Sequence, residues 1–164
     1  MVVLRRCRDD EQERILAIIN AAAEVYRGSI PADCWHEPYM PHAELEGEIR
    51  SGVDFWGYEQ QGRLIGVMGI QPVSDVDLIR HAYVMPGLQR HGVGAALMAK
   101  LRALSRRRML VGTWAAATWA IRFYERQGFS LVNPAETRVL LTTYWNIPEK
   151  QLSASVVLSS SWNS

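Results

Sequence analysis

Residues 87–97 read GLQRHGVGAAL. Gly92 and Gly94 stand one residue apart, Gln89 precedes the first by three positions, and an amphipathic run starts directly after the second. A glycine inside a helix costs about 1 kcal/mol relative to alanine, so a pair at a helix start needs a reason. The first four N–H groups of a helix have no internal partner, and the helix dipole adds partial positive charge there. Glycines let an anion come close to those donors, so the chemistry on offer is the binding of a phosphate or pyrophosphate. A tight strand-to-helix connection without any ligand would use the same pair. Two common phosphate loops fail on named residues. A Walker loop needs lysine and a hydroxyl residue where Ala95 and Ala96 stand. A dinucleotide fingerprint needs a third glycine where Leu97 stands, and an acidic residue about 20 positions further on that is absent from VGTWAAAT.

The elements that must position this loop follow from periodicity. Residues 9–28 read as a helix with Ile15, Ile18, Ile19, Ala22 and Val25 on one face, a capping box of Asp9 with Gln12, and Gly28 as its stop. An irregular segment carrying Tyr26, Trp35 and Tyr39 follows, then a short helix over 41–52 with Pro41 in its first position. Three strands are expected at 53–59, 63–71 and 76–84, the last ending near Pro86. The glycine loop opens a helix over 92–107 with Val93, Ala96, Leu97, Leu101 and Leu104 buried and Arg106, Arg107 and Arg108 at its end. MLVGTWA is a buried strand, TWAIRFYERQ a helix capped by Gly128, and FSLV a strand. Asn133 and Pro134 start a helix to about Tyr144, and SASVVLS is the last strand. The order predicts one mixed α/β domain over residues 1–159, its sheet covered by helices, with residues 160–164 as a frayed tail.

The composition bounds the partners. The chain has 164 residues and a net charge of +1, with 48% hydrophobic and 21% charged residues. Neither nucleic acid nor a membrane surface has a bulk electrostatic attraction to it. No apolar stretch reaches the ~20 residues of a membrane span. Cys7 and Cys34 lack metal-type or CxxC spacing, so no metal is expected, and reduced thiols with no signal-peptide pattern place the chain in the cytoplasm.

VMPGLQRHGVGAALM resembles the acetyl-CoA signature of GNAT-type N-acetyltransferases, in which glutamine or arginine is followed at three residues by glycine and at five by glycine or alanine. AYVMP is similar to the family's bulged strand end, AIRFYERQGF to its later helix, and the element order matches a mostly antiparallel sheet flanked by helices. The wider phrase VGTWAAATWAIRFYERQGF is similar to a bacterial branch of the family with no obvious assigned substrate. The resemblance implies acetyl-CoA as co-substrate. The N–H groups of Gln89, Arg90, His91, Gly92, Val93, Gly94 and Ala95 would hold its pyrophosphate. Backbone near Tyr83 and Val84 would pair with the pantetheine arm, the Val84 N–H would polarise the thioester carbonyl, and the strand with LVGTWA would splay away to admit the arm. Tyr124 matches the tyrosine that protonates the departing thiolate. Ala117 and Thr118 replace the family's usual asparagine. Many members carry a glutamate as base where Leu78 falls. The nearest titratable groups are Asp77 and His81, on one strand parity opposite Leu78.

The implied reaction is direct attack by a primary amine, without an acyl-enzyme. The segment between the first two helices would form the acceptor pocket from Tyr26, Trp35 and Tyr39, with Asp33 or Glu37 attracting an ammonium and Trp56 and Trp114 joining from the sheet. A small amine, an amino acid, a xenobiotic or a protein terminus all suit it. A non-catalytic acyl-CoA-binding module of the same fold is the competing reading. A homodimer formed along the strand near SASVVL is a further expectation.

Overall fold

The computed structural model describes residues 1–89 and 91–160. Seven strands form one sheet in the order β1-β2-β3-β4-β5-β7-β6. They are β1 (Val2–Arg6), β2 (Asp54–Gln60), β3 (Arg63–Val73), β4 (Val76–Val84), β5 (Arg108–Trp114), β6 (Phe129–Leu131) and β7 (Ser155–Ser160). All neighbours are antiparallel except β4 and β5. The helices are α1 (Gln12–Ala22), α2 (His42–Arg50), α3 (Val93–Leu104), α4 (Thr118–Arg126), α5 (Pro134–Tyr144) and α6 (Glu149–Leu152).

Strand alternation sends neighbouring side chains to opposite faces, and the core divides accordingly. Met68, Ile79, Met109, Val111 and Leu158 meet Val93, Leu97, Met98 and Leu101 of α3 and Ala120 and Tyr124 of α4. On the other face Phe55 and Val67 meet Ile15, Ile18 and Ile19 of α1 and Leu45 of α2. Beside them Leu78, Leu110 and Val157 meet Leu140 and Leu141 of α5. The sheet is therefore covered on both sides, α3 and α4 on one and α1, α2 and α5 on the other.

Most of the expected elements are present, with local differences. β1 pairs with β2 from Val2↔Gln60 to Arg6↔Trp56 and was not expected. The first helix tightens to 3-10 geometry over Ala23–Tyr26, which turns Val25 out of the buried stripe. Its cap is one residue earlier than expected: the Arg8 N–H donates to Glu11 Oε1 at 2.6 Å. α3 ends at Leu104, which is exposed, and Arg108 opens β5. Asn133 caps α5 by accepting from the Glu136 N–H at 2.9 Å, as its position before Pro134 requires. Ser160, expected in a tail, is the last residue of β7, and its Oγ accepts from the Met109 N–H. The strand over SASVVL is not an edge: β7 lies between β5 and β6.

Candidate functional site: a cleft where β4 and β5 part

β4 and β5 pair only from Val76↔Arg108 to Ile79↔Val111, although β4 continues to Val84 and β5 to Trp114. The strands splay beyond that point. A bulge assists the departure: Val67 pairs with Tyr83 and Gly69 with Arg80, so His81 and Ala82 together oppose Met68. His81 takes the left-handed conformation there, φ +54. Such bulges twist and re-aim a strand. The Met85 N–H donates to the Ile65 carbonyl of β3 at 2.8 Å. Successive strand N–H groups alternate sides, so the Val84 N–H faces away from β3 into the gap that β5 has left.

On the α3 and α4 side the gap opens into a groove of about 930 Å³. Its wall includes Tyr83, Val84, Gln89, Gly92, Val93, Gly94, Ala95, Trp119, Phe123 and Tyr124. The first backbone bond within α3 runs from the Ala96 N–H to the Gly92 carbonyl at 2.9 Å, which leaves the Val93, Gly94 and Ala95 N–H groups at the helix start without an intrahelical acceptor. The two glycines have different reasons. Gly92 is the N-cap with φ +78, and a Cβ there would meet nothing. At Gly94 a Cβ would come within 3.1 Å of the Phe123 ring of α4. The first glycine serves the turn and the second the packing of α3 on α4. The Gln89 amide is used within the loop: Oε1 accepts from the Gly87 N–H at 2.8 Å, and Nε2 donates to the Val84 carbonyl at 3.3 Å. His91 is exposed, and Arg90 lies outside the described residues. Arg122 and Arg126, one turn apart on α4, border the same groove, and neither forms an ion pair among the described residues. Sequence reasoning missed both, although their spacing places them on one helix face.

On the other side lies a smaller cavity of about 160 Å³. Tyr26, Ala82, Tyr83 and Tyr124 line both spaces, so the two share a wall. Tyr124 is 7% exposed, edge-on to Phe129 with centroids 6.1 Å apart. Burial, reinforced by Tyr26, holds its hydroxyl well above the usual tyrosine range. Burial also pushes Tyr26 up to about 12.

The expected acceptor-pocket residues divide. Tyr26, Tyr39 and Trp114 line the small cavity. Trp35 does not; it stands behind Tyr39 with centroids 5.4 Å apart, its indole N–H donating to Glu37 at 2.8 Å and the Arg27 guanidinium lying 4.5 Å above its ring. Glu37 is thereby committed to Trp35 and Arg27. Trp56 packs under Lys100 of α3 at 5.4 Å, away from the cavity. Trp145, Ile147 and Gln151, from the chain after α5, complete the lining. Trp145 lies over Gly112, where a Cβ would stand in ordinary van der Waals contact with the indole at 3.4 Å.

The titratable candidates also separate. Asp77 is 6% exposed, accepts from Ser105 Oγ at 2.6 Å and faces Arg107 at 3.5 Å, which places it at the far end of α3. His81 does not share its face. The bulge turns the ring toward α2, between Phe55 and Tyr83 at 6.1 and 6.5 Å. His81 Nε2 lies 2.7 Å from Glu48 Oε1, which also accepts from Arg80. Glu48 Oε2 is buried without a hydrogen-bond partner among the described residues. Burial raises the Glu48 carboxyl, but His81 and Arg80 outweigh it and leave the group below its usual range. Sequence reasoning missed Glu48. Its signal was its place three residues after Leu45 and one before Ile49, at the border of the buried stripe of α2.

Residues 51–131 match the family model described as an acetyltransferase (GNAT) domain. No curated protein matches the chain significantly in sequence. Among solved structures, the chain is similar to a PaiA N-acetyltransferase from Thermoplasma acidophilum in complex with coenzyme A, at 14% identity over 99% of both chains and a TM-score of 0.74. An acetyltransferase of the GNAT family from Staphylococcus aureus Mu50 is similar at 15% identity over 98% of both chains, with a TM-score of 0.73. An N-acetylglutamate synthase from Neisseria gonorrhoeae, complexed with coenzyme A and N-acetyl-glutamate, matches 98% of this chain with 35% of its own, at 21% identity and a TM-score of 0.63. With a splayed sheet, a glycine-led helix start in its groove and a family model covering both, the chain carries a GNAT acetyltransferase domain at residues 51–131.

Proposed function

We propose that this acetyltransferase moves an acetyl group from acetyl-CoA to a primary amine by direct attack. The supporting observation is the wall of Tyr26, Ala82, Tyr83 and Tyr124 shared by a large groove and a small cavity. It gives a long donor and a compact acceptor separate chambers that meet at one point.

The groove fits the donor on its own chemistry. The free N–H groups of Val93, Gly94 and Ala95 suit a pyrophosphate, and Arg122 and Arg126 offer cations to its phosphates. The volume of about 930 Å³ accommodates a long, bent ligand. When bound, acetyl-CoA supplies an acetyl group activated as a thioester.

The residues of the chain then have distinct tasks. The Val84 N–H faces the gap and stabilises negative charge developing on the carbonyl oxygen, an effect typically worth about 3 kcal/mol per donor. His81 assists loss of the ammonium proton. With Glu48 accepting at Nε2, the neutral tautomer carries its hydrogen there and keeps Nδ1 as the basic nitrogen. Glu48 and Arg80 fix the ring. Tyr124 donates to sulfur as the C–S bond breaks and the C–N bond forms; its retained proton makes it a donor at neutral pH. A lysine-like amine of pKa about 10.4 costs roughly 4.6 kcal/mol to neutralise at pH 7, and an α-amine near 7.8 about 1.1 kcal/mol. His81 therefore matters most for the more basic acceptor.

Steady-state assays detecting free thiol, run with acetyl-CoA against a panel of primary amines, test the reading. Amine-dependent thiol release and an N-acetylated product are expected. Binding of acetyl-CoA with no release for any amine would make the chain a non-catalytic acyl-CoA-binding module.

A further inference from the structure

Resting on that reading, we infer that the acceptor is a monoamine carrying one compact, uncharged ring or branched apolar group, and that diamines and polyamines are poor substrates.

Three observations carry this. The first is size. The cavity beyond the shared wall measures about 160 Å³, close to the roughly 150 Å³ that holds a single benzene ring. A two-ring body exceeds it.

The second is the character of the wall. Tyr39, Trp114, Leu141, Trp145 and Ile147 present rings and branched aliphatic groups. The hydroxyls beside them are neutral: burial holds Tyr26 and Tyr83 above the usual tyrosine range, and the Tyr83 hydroxyl donates to that of Tyr39, 3.4 Å away. The rings flank the body of the acceptor, and Thr113, Gln151 and Ser155 on the same wall offer neutral polar groups that orient it.

The third is charge. No carboxylate lines the cavity among the described residues, and its charged or titratable basic groups are Arg80 and His81. Glu48 lies behind both and is shared between them. Glu37 is held by Arg27 and Trp35, and the Asp33 carbonyl accepts from Lys150, which ties the segment after α5 across to the segment before α2. A second ammonium entering here would lose its hydration opposite a guanidinium and find no anion to repay it.

The test measures kcat/KM for phenethylamine, benzylamine and isoamylamine against putrescine and spermidine, with acetyl-CoA saturating. Ring or branched monoamines should exceed the diamine and polyamine at least tenfold. Trp145→Ala, checked for folding by circular dichroism, should level that preference by raising KM for the ring amines. Ile147→Glu, which adds the missing anion, should shift preference toward putrescine and serves if Trp145→Ala does not fold. Preference of the native enzyme for putrescine or spermidine overturns this inference while amine acetylation stands. Thiol release with no amine at all overturns amine acetylation and takes this inference with it.

Discussion

His81 Nε2 and Glu48 Oε1 are 2.7 Å apart, joining a bulge in β4 to the second turn of α2. The bulge holds His81 at φ +54, a conformation that costs a non-glycine residue about 1–2 kcal/mol. Glu48, half-buried and below its usual titration range, anchors the ring that this strain aims. The pair turns an ordinary strand position into a fixed basic nitrogen beside the small cavity.

His81→Asn tests the base, because asparagine tolerates left-handed backbone. Turnover with a strongly basic amine is expected to fall about 100-fold near neutral pH, within the usual range for a lost general base. The loss should shrink as pH rises, and should be small for acceptors of low pKa. Glu48→Gln keeps the shape and should give a smaller loss of the same pH dependence. A pH–rate profile unchanged in both variants removes the pair from the reaction.

Tyr124→Phe is expected to lower kcat by about tenfold or more and to leave acetyl-CoA affinity within a factor of two to three, since the ring stays packed on Phe129. Calorimetry and steady-state kinetics on the same preparation separate the two quantities. Equal loss of both would make the residue a wall and not a proton donor.

The two glycines of the α3 start should respond differently. Gly92→Ala meets no neighbour but forces alanine to φ +78; about 1 kcal/mol of stability is expected to be lost. Gly94→Val sets a branched side chain against Phe123, 3.1 Å from where its Cβ would lie, and an overpacking cost of about 1–3 kcal/mol is expected. Denaturant midpoints measure the first, and the second should also weaken acetyl-CoA binding as α3 and α4 move apart.

Acid stability has a local source at the sheet edge. Arg5 of β1 bonds Glu11 at 2.8 and 2.9 Å, which holds the Glu11 carboxyl at about 2 instead of the ordinary 4.5. A carboxyl depressed in the folded state stabilises above its unfolded value, and that contribution disappears as pH falls. The window for Glu11 is therefore about 4.5 down to 2. Glu11→Gln should cost about 1 kcal/mol at neutral pH and flatten the decline in melting temperature across that window.

The sequence made much of this architecture legible where period and punctuation agreed. β2 alternates and the QQGR turn separates it from the continuous apolar run of β3, Asn133–Pro134 announces α5, and the glycine loop announces α3. It failed where local geometry departs from a regular period. Counting Val25 into the α1 stripe assumed 100° per residue, and the chain tightens to 3-10 geometry at Ala23. Placing His81 on the face of Asp77 assumed unbroken alternation, and a bulge reverses it. Glu48 went unnoticed because nothing in one dimension brings β4 against α2. Trp145 stood outside the expected site for the same reason, though Gly112, the residue it covers, was visible inside a strand.

The parallel seam between β4 and β5 is four residue pairs long. Two ribbons of the molecule are thus clasped at one end and free at the other, like the jaws of a peg. Ile79 and Val111, the last pair before the jaws diverge, set how wide they stand. Bulkier or smaller residues at that pivot would change the distance between donor and acceptor together, so reactivity can be tuned from a position that touches neither the pyrophosphate loop nor the basic nitrogen.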